Sequence, residues 1–310
     1  MTFRDPPPPP RVSVVIPCYN REDTVAEAVR SVLDQDFADI EVIVVDDHST
    51  DGTLEILRGI DDPRLHLTQN TGPRGPSGAR NHGIAMAHAP WIAFQDSDDV
   101  WLPGKLSRQM ETVATGDWVA VYCGMLVKED AGPQTPVQAR HPRAGITSLE
   151  GDILPSLAFE NFISTQMLVV RRDILERVGH FDADQPVLVD WELMLRVAQE
   201  GPVAFVDDDL VIQRMSPNSV TNSSRRRLES QARILDKHQA LLTRYTGAVA
   251  YHHHRLAGAH RRFGEFAAAA DHAAAAVRTD PGRAKYRLYH AYLRTRALLA
   301  GAQARSEDPS

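Results

Sequence analysis

Short apolar segments alternate with helix-like segments through the first hundred residues, and this alternation limits the folds open to the chain. The segment at 12–17 is apolar, rich in β-branched residues and contains a terminal proline, which is typical of a buried strand. Further strands are predicted at 40–45, 64–68 and 91–94, with helices at 22–35, 51–60 and 77–88. Strands that alternate with helices predict right-handed crossovers and an α/β fold with a Rossmann-like, mostly parallel sheet flanked by helices.

Composition excludes several classes of protein. The 310 residues contain no run of 18 apolar residues, so no membrane-spanning helix is expected. The N-terminus has no apolar core of the kind that a secretory signal needs. The two cysteines, Cys18 and Cys123, are too few for a disulfide framework or a zinc cluster. A reduced, cytoplasmic setting is therefore expected.

The net charge of −7 conceals an uneven distribution along the chain. Residues 1–224 carry 18 Lys and Arg against 34 Asp and Glu, whereas residues 225–310 carry 16 against 7. The corresponding net charges are −16 and +9. We therefore predict a first domain over 11–222 and a basic, α-helical C-terminal region over 223–310. The proline-rich lead at 1–10 is expected to be a disordered tail, with a ligand for an SH3-like partner as the alternative.

Polar side chains follow three of the predicted strands at the point where each strand ends. They are found in the segments Pro17-Cys-Tyr-Asn20, Asp46-Asp-His-Ser-Thr-Asp51 and Gln95-Asp-Ser-Asp-Asp99. In open parallel sheets, ligands bind beyond the carboxyl ends of the strands. The sequence therefore predicts that these three segments meet at one edge of the sheet and form a binding site.

The acidic segment after the fourth strand has two interpretations. Asp96 and Asp98 are two residues apart, and hard cations such as Mg²⁺ or Mn²⁺ prefer carboxylate oxygens. Alternatively, Asp98 or Asp99 caps a following turn.

The acidic segment after the second strand, which begins with Asp46 and Asp47, also has two interpretations. In the first, Ser49, Thr50 or Asp51 simply caps the next helix, and the segment has no role in binding. However, capping requires one residue, and a second carboxylate could accept from a nucleobase or a ribose hydroxyl.

Taken together, the motifs resemble those of glycosyltransferase family 2, which has the GT-A fold and uses nucleotide-diphospho-sugar donors. The resemblance covers about residues 11–222. It is carried by VSVVIPCYN at 12–20, VVDDHSTDGT at 44–53, GARNHGI at 78–84, FQDSDDVW at 94–101, and a later pair of segments at 178–182 and 190–196.

The resemblance implies a role for each matching residue. Asp190 matches the general base, and Asp98, with Asp96, matches the ligands of a Mn²⁺ or Mg²⁺ ion. The residues implied in nucleotide-sugar binding are Pro17, Tyr19, Asn20, Asp46, Asp47, Arg80, Asp96, Ser97 and Asp99. Without the resemblance, Arg80 would be interpreted as an ordinary surface arginine, and Asp190 as the cap of the helix that Trp191, Met194, Leu195 and Ala198 predict.

The implied reaction is an inverting transfer of a hexosyl or N-acetylhexosaminyl group from a nucleotide-diphospho-sugar, with a UDP-sugar expected. The acceptor would be a glycan, a lipid-linked glycan or a peptide, in the synthesis of a cell-surface polysaccharide, glycolipid or other glycoconjugate. The alternatives are a sugar-1-phosphate nucleotidyltransferase and a non-catalytic nucleotide-sugar-binding protein. Nucleic-acid binding is not expected, because the acidic body would repel a polyanion.

Two positions depart from the family pattern. Ser216 stands where many relatives have a histidine that helps to ligate the metal, so a third protein ligand is in doubt. His48 stands where many relatives have glycine, and a solvated loop histidine is the expected interpretation. A processive polysaccharide synthase is disfavoured, because the sequence lacks both membrane helices and a Q-x-x-R-W motif.

The basic C-terminal region predicts helices at 228–245, 250–262, 265–278 and 283–300, with a weak resemblance to one tetratricopeptide-type hairpin. A single such unit cannot bury its own apolar face. It is expected to pack on the catalytic body or form a homodimer, or to contact an anionic membrane surface peripherally from the cytoplasmic side. His252, His253 and His254 point about 100° apart on a helix and are expected to be solvated.

Overall fold

The structure, a computed structural model, describes residues 9–215 and 224–306, the last six by their backbone alone. These residues form two compact units. The first contains residues 9–184 and 189–215, and the second contains 185–188 and 224–306. Most of the proline-rich lead, and Ser216, lie outside the described residues.

The first half of the first unit consists of alternating strands and helices. Its elements are β1 (Val12–Cys18), α1 (Val25–Leu33), β2 (Ile40–Asp46), α2 (Thr53–Arg58), β3 (Leu65–Gln69), α3 (Pro76–Met86) and β4 (Trp91–Phe94). The four strands pair in parallel in the order β3-β2-β1-β4. Every residue of β1 and β2 is buried, as expected for strands that are covered on both faces. The expected parallel sheet is therefore confirmed for this half.

The second half of the unit extends the same sheet with mixed strand directions. Its elements are β5 (Val100–Trp101), α4 (Lys105–Val113), β6 (Ala120–Lys128), β7 (Ala139–His141), α5 (Leu154–Leu157), β8 (Leu168–Arg171), α6 (Arg172–Val178), α7 (Val189–Val197) and β9 (Val203–Arg214). The order continues from β4 as β8-β6-β9-β5, and β7 pairs with β6. Among these pairs, β6 and β9 are parallel and the others are antiparallel. The sheet as a whole is mixed, not mostly parallel.

Helix α3 approaches the sheet closely because it carries glycine where it meets the strands. A Cβ atom on Gly83 would lie only 2.4 Å from Cγ1 of Val15 in β1. At the start of the helix, a Cβ atom on Gly78 would lie 1.8 Å from the carbonyl oxygen of Pro73. Real Cβ atoms do not come this close, so both positions require glycine. The tight packing brings the first turn of α3 to the carboxyl edge of the parallel strands.

The second unit is helical. It contains α8 (Ser224–Lys237), α9 (Gln239–Thr243), α10 (Ala248–Arg262), α11 (Phe266–Thr279) and α12 (Ala284–Ser306). The helix expected at 228–245 is interrupted at His238, whose φ of −108° and ψ of 18° are not helical. The small side chains of Ala257, Ala269 and Ala273 form the core in which α10, α11 and α12 meet, together with Leu293. The expectation of a helical C-terminal region is thus met in the described residues.

The three consecutive histidines of α10 are not solvated as expected. His252 is only 2% exposed, and His253 and His254 are half-buried. Nδ1 of His253 lies 3.1 Å from Nδ1 of His272 on α11, and His254 packs against the ring of Tyr286 on α12. Helix α10 is covered by helices on more than one side, so positions about 100° apart can all be enclosed.

Candidate functional site

The loops after β1 and β2 form one wall of the site. The two strands are paired so that Cys18 lies beside Asp46, and the backbone N–H of Asp47 donates to the carbonyl of Cys18 at 2.8 Å. Beyond the strands, Asn20 Oδ1 accepts from Thr50 N at 2.8 Å, and Asn20 N donates to Ser49 Oγ at 3.0 Å. Two sequence-distant motifs are therefore held together, as the parallel sheet predicted. Tyr19 stands at the end of β1 with 49% of its surface exposed.

The two carboxylates after β2 are buried and bonded. Asp46 accepts from the backbone N–H groups of His48 and Ser49 at 3.1 to 3.2 Å. Asp47 accepts from the Asn70 side chain and from the Gly75 backbone N–H, both at 2.7 Å. These bonds order the loop after β2 and join it to the loop after β3. The cap position of α2 is Gly52, which offers no side chain, and none of Ser49, Thr50 and Asp51 occupies it. Asp51, one residue before the cap, accepts from Thr53 N at 3.0 Å with its Oδ1.

His48 has a conformational explanation for its departure from the family pattern. Its φ is +67°, in the left-handed region that glycine enters without strain and other residues rarely adopt. The turn that follows Asp47 thus requires this conformation whichever residue occupies the position. The His48 side chain is half-buried.

Arg80 is a buried residue of the site and not a surface arginine. It lies in the first half of α3 and is only 5% exposed. Its Nη2 donates to Oδ1 of Asp96 at 2.5 Å, and its guanidinium lies over the ring of Phe181, 5.5 Å from the ring centroid. Its Nε atom is buried and has no hydrogen-bond partner among the described residues. A buried donor in this position is suited to an anionic ligand group.

The acidic segment after β4 concentrates negative charge beside two arginines. Asp96 pairs with Arg80, and Oδ2 of Asp98 lies 3.3 Å from Nη2 of Arg21. Burial and the charge of Asp96 together raise the pKa of Asp98 above its usual value. The side chains of Asp96 and Asp98 each keep 27% of their surface exposed, so ligands can reach both. Between them, Ser97 is buried and its carbonyl accepts from Thr24 Oγ1 at 2.9 Å.

Asp99 points away from solvent. It is 2% exposed, and burial together with the charges of Asp96 and Asp98 raises its pKa well above the usual range. Its Oδ2 accepts from the Gln166 side chain at 2.7 Å, and its Oδ1 accepts from the backbone N–H of Arg214 at 2.9 Å. Asp99 therefore ties the acidic segment to the end of β9. The role in nucleotide-sugar binding that the resemblance implies for Asp99 stays a prediction.

Asp190 lies in the first turn of α7, which begins one residue earlier, at Val189. It is therefore not the cap residue that the helix pattern suggested. Its Oδ1 accepts from the backbone N–H of Trp191 at 2.8 Å and from Nδ2 of Asn161 at 3.0 Å. Its Oδ2 makes no hydrogen bond within the described part of the chain. Burial raises the pKa of Asp190 to about 6, although Trp191 N–H and Arg80 act in the opposite direction.

The charges of Arg80 and Asp96 both act on the pKa of Asp190, which means that the three groups share one site. Helix α3, the end of β4 and the start of α7 therefore contribute to a common cluster. Three carboxylates of the candidate site, Asp47, Asp99 and Asp190, accept from side-chain amides that the sequence did not predict. These amides belong to Asn70, Gln166 and Asn161, respectively. Each is an isolated amide in a segment without a periodic pattern, and only the fold brings it to a carboxylate.

The arrangement fits a divalent cation held by few protein ligands. Within the described residues, no group of three or more His, Cys, Asp or Glu side chains is placed to hold a metal. Asp96 and Asp98 provide two accessible carboxylates whose mutual repulsion a cation would relieve. Mg²⁺ characteristically binds through one or two carboxylates and completes its shell with water and substrate phosphates. The donor set therefore suits Mg²⁺ or Mn²⁺ bound together with a phosphorylated ligand.

Comparison with protein families and curated proteins identifies similar chains. A family model described as Glycosyl transferase family 2 matches residues 13–179. Succinoglycan biosynthesis protein ExoO from Rhizobium meliloti is 44% identical over 113 residues, which is 36% of this chain and 32% of that protein. The Escherichia coli protein WfaP, named as a UDP-Glc:alpha-D-GlcNAc-diphosphoundecaprenol beta-1,3-glucosyltransferase, is 38% identical over 119 residues, 38% of this chain and 47% of that protein. The chain thus matches about a third to a half of the length of these relatives.

Two solved structures share the fold along most of the chain. TarS from S. aureus, in complex with UDP-GlcNAc, superposes with a TM-score of 0.68 at 19% identity over 92% of this chain and 88% of that one. The mannosyltransferase PcManGT from Pyrobaculum calidifontis, in complex with GDP-Man and Mn²⁺, superposes with a TM-score of 0.62 at 22% identity over 95% of this chain and 88% of that one.

Proposed function

The chain belongs to glycosyltransferase family 2, and from this membership we propose that it transfers a sugar with inversion from a nucleotide-diphospho-sugar to an acceptor hydroxyl. The expected GT-A fold is confirmed, as a mixed α/β sheet with flanking helices and further helices at the C-terminus. Membership in this family favours sugar transfer over nucleotidyl transfer and over a purely binding role. The observation that carries the proposed mechanism is the environment of Asp190.

Asp190 is suited to act as the general base. Burial raises the pKa of its carboxyl to about 6, close to the neutral range in which a general base works best. Asn161 and the backbone of Trp191 hold Oδ1, which leaves Oδ2 to accept a proton from the acceptor hydroxyl. The oxygen so activated attacks the anomeric carbon as the bond from that carbon to the diphosphate oxygen breaks. The nucleoside diphosphate leaves from the opposite face, and the configuration at the anomeric carbon inverts.

The donor is proposed to bind along the strand ends. Tyr19, Pro17, Asn20, Asp46 and Asp47 would hold the nucleobase and ribose. Arg80, Asp96 and Ser97 would face the diphosphate and sugar, and Asp99 would support this segment from its buried position. The buried, unpartnered Nε of Arg80 supports an anionic ligand there. Asp98 and Asp96 would hold Mn²⁺ or Mg²⁺, which when bound neutralises charge on the diphosphate. The presence of Mn²⁺ in the PcManGT complex is consistent with this.

A UDP-sugar is the proposed donor and a lipid-linked glycan the proposed acceptor. The relatives WfaP and WfgD of Escherichia coli are both named for glucosyl transfer from UDP-Glc to a diphosphoundecaprenol-linked sugar. A thermal-shift screen of nucleotide sugars with Mn²⁺ would identify the donor, because a ligand that binds only the folded protein raises its melting temperature.

Substitution of Asp190 tests the proposed mechanism. We expect Asp190→Asn to bind the donor as the wild type does, measured by calorimetry, and to lose about 10²- to 10⁴-fold in transfer rate, because the amide cannot take the acceptor proton. Asp61→Asn, at an exposed position, is the matched control. Transfer at the wild-type rate by the Asp190→Asn variant would refute the assignment. Consumption of added pyrophosphate with formation of a nucleoside triphosphate, in place of release of a nucleoside diphosphate, would instead indicate a nucleotidyltransferase.

Helix α12 supports a proposal for the second unit, namely peripheral contact with an anionic membrane. None of the described helices is both long and apolar enough to cross a bilayer. Leu288, Tyr292 and Leu299 are 73%, 43% and 57% exposed and lie within about 40° of one another around the helix. The basic residues Lys285, Arg287, Arg294 and Arg296 flank this apolar stripe on both sides, and α12 contains no acidic residue. An apolar stripe between basic flanks is typical of helices that lie on anionic lipid.

A further inference from the structure

Arg80 is held in the site by an aromatic ring as well as by a carboxylate. Its Nη2 donates to Oδ1 of Asp96, and the centre of its guanidinium lies 5.5 Å from the centroid of the Phe181 ring. Phe181 is 3% exposed, so the contact between the ring and the cation is shielded from water. The attraction between an arginine and an aromatic face is stronger when the pair is desolvated. The Phe181 ring is therefore placed to fix the plane of the guanidinium.

Asn81, the residue after Arg80 on α3, holds the backbone of Phe181. Its Nδ2 donates to the carbonyl of Phe181 at 2.9 Å, and its Oδ1 accepts from the backbone N–H of Phe181 at 3.0 Å. One side-chain amide thus satisfies both backbone groups of a residue 100 positions away in sequence. Both residues belong to the first unit. Consecutive residues of α3 therefore contact the two parts of Phe181, Asn81 its backbone and Arg80 its ring.

The loop that carries Phe181 depends on such bonds, because the two residues before it are left-handed. Gly179 and His180 have φ values of +88° and +54°. A residue with a Cβ atom, such as His180, keeps this conformation only where its surroundings impose it. Arg196 on α7, also in the first unit, donates through Nη2 to the carbonyl of His180 at 2.6 Å. Together with the bonds from Asn81, this contact fixes the loop both before Phe181 and at Phe181 itself.

The Phe181 ring also contacts the strand that leads into the acidic segment. Its centroid lies 5.2 Å from that of Phe94, and the two ring planes are 85° apart, which is a favourable edge-to-face arrangement. Phe94 is the last residue of β4 and stands two residues before Asp96. The ring is thus fixed by β4 and by its own backbone, and a fixed ring restricts rotation of the Arg80 guanidinium.

We propose that Asn81 and Phe181 are positioning residues for Arg80: Asn81 fixes the backbone of Phe181, and the Phe181 ring orients the guanidinium so that its N–H groups face the donor diphosphate. The proposal rests on the proposed function, in which Arg80 faces the diphosphate. An arginine binds phosphate oxygens through donors in a rigid planar fork, so rotation of the plane loses hydrogen bonds. The nucleobase and ribose are proposed to bind at other strand ends and do not depend on this ring.

Phe181→Leu tests the proposal by comparing the binding of UDP with that of uridine. Leucine keeps an apolar side chain but has no aromatic face for a cation. We expect the affinity for UDP, measured by calorimetry with Mn²⁺, to fall about 2- to 30-fold, the range that loss of a cation–π contact gives. The affinity for uridine, measured by displacement of UDP, should not change. Phe205→Leu, which removes a half-buried ring stacked on Tyr122 at 4.7 Å, is the matched control and should change neither affinity.

Asn81→Ala provides a second test at a half-buried position, where loss of the side chain is better tolerated than at Phe181. We expect it to weaken UDP and not uridine. The double variant Asn81→Ala/Phe181→Leu should lose no more UDP affinity than the weaker-binding single variant, because both residues act through one ring. Additive losses would overturn the proposal. So would equal losses of UDP and uridine affinity, or a lower melting temperature with unchanged binding.

Arg80→Gln separates this proposal from the proposed function. If Arg80→Gln binds UDP as the wild type does, Arg80 does not face the diphosphate, and the proposed donor site is wrong. If Arg80→Gln weakens UDP binding and Phe181→Leu does not, only the positioning role is wrong. A wild-type protein that does not bind UDP would overturn both the proposed donor and this proposal.

Discussion

Asp190 illustrates how one carboxylate is prepared by its immediate neighbours. Burial raises its pKa, whereas the hydrogen bonds from Trp191 N–H and Asn161 and the charge of Arg80 favour the ionised form. Together these effects give Asp190 a pKa of about 6. Its carboxylate is therefore ionised at neutral pH and still able to accept a proton. The motif indicated the residue, but not Asn161, because nothing in the local sequence around position 161 shows that it faces position 190.

The pH dependence of the rate should follow from this environment. A base must be unprotonated to act, so we expect kcat/KM to rise with pH through about 6 and then level off. Asn161→Ala removes a donor to the ionised form, so the pKa of Asp190 should increase and the rise should move to higher pH. Gln138→Ala removes a similar amide-to-carboxylate bond, to Glu129 at 2.9 Å on the surface, and should not move it. A profile that is the same in all three proteins would contradict the role of Asn161.

Asp98 should determine how nucleotide binding depends on metal. We expect Asp98→Ala to lose the increase in nucleotide affinity that Mn²⁺ gives the wild type, by about 10- to 100-fold, because one of two accessible carboxylates is gone. Calorimetric titration of the nucleoside diphosphate with and without Mn²⁺ measures the effect. Asp208→Ala breaks an exposed aspartate–arginine pair with Arg108 and is the control. Equal dependence on Mn²⁺ in the wild type and the Asp98→Ala variant would remove Asp98 from the metal site.

At the scale of elements, the sequence predicted the parallel half of the sheet but not the mixed half. The first four strands follow one another through short crossovers, so local apolar patterns and handedness were sufficient. Strand β8 has only four residues and pairs antiparallel with β4 across a large separation in sequence, for example Ala93 with Val169. A long-range pairing of this kind leaves no local pattern. The sequence also did not predict the break between α8 and α9 at His238. There the local pattern was misleading, because apolar residues continue at helical spacing across the break.

The surroundings of two glycines, one in α3 and one in α10, predict opposite effects for the same substitution to alanine. Gly83→Ala should destabilise the protein by about 1–3 kcal/mol, because the new methyl group would overlap Val15 of β1. Gly258→Ala in α10 should stabilise by about 0.5–1 kcal/mol, because only the Tyr289 hydroxyl lies near, at 3.8 Å, and alanine favours the helix. Urea unfolding followed by circular dichroism measures both. A neutral Gly83→Ala would show that α3 can move away from the sheet.

At the scale of the whole molecule, the two charge regions suggest different partners. The residues to position 224 carry a net charge of −16, which includes the carboxylates of the candidate site, whereas those from 225 carry +9. Exposed basic residues close to anionic lipid contribute about 1 kcal/mol each, and salt screens this contribution. The net charge of −7 therefore says little about either partner.

Membrane contact through α12 should consequently depend on lipid charge and on salt. We expect the protein to sediment with vesicles containing phosphatidylglycerol, and not with phosphatidylcholine vesicles, and to be released at high salt. Leu288→Glu combined with Leu299→Glu should abolish binding, whereas Val137→Glu, at another exposed apolar residue, should not. If the wild type binds neither vesicle, the membrane proposal is wrong. A dimer in light scattering that the double variant dissociates would assign the face to self-association.

The pairing of β4 with β8 also has a consequence during synthesis. The ribosome releases Trp91–Phe94 well before Leu168–Arg171, and domains generally begin to fold from the N-terminus as they emerge. A nascent chain that has completed the four parallel strands would present β4 as an open edge, because the antiparallel partner of β4 has not yet been made. An open edge strand can pair with a strand of another chain. Association between nascent chains would therefore be greatest before residue 168 has emerged.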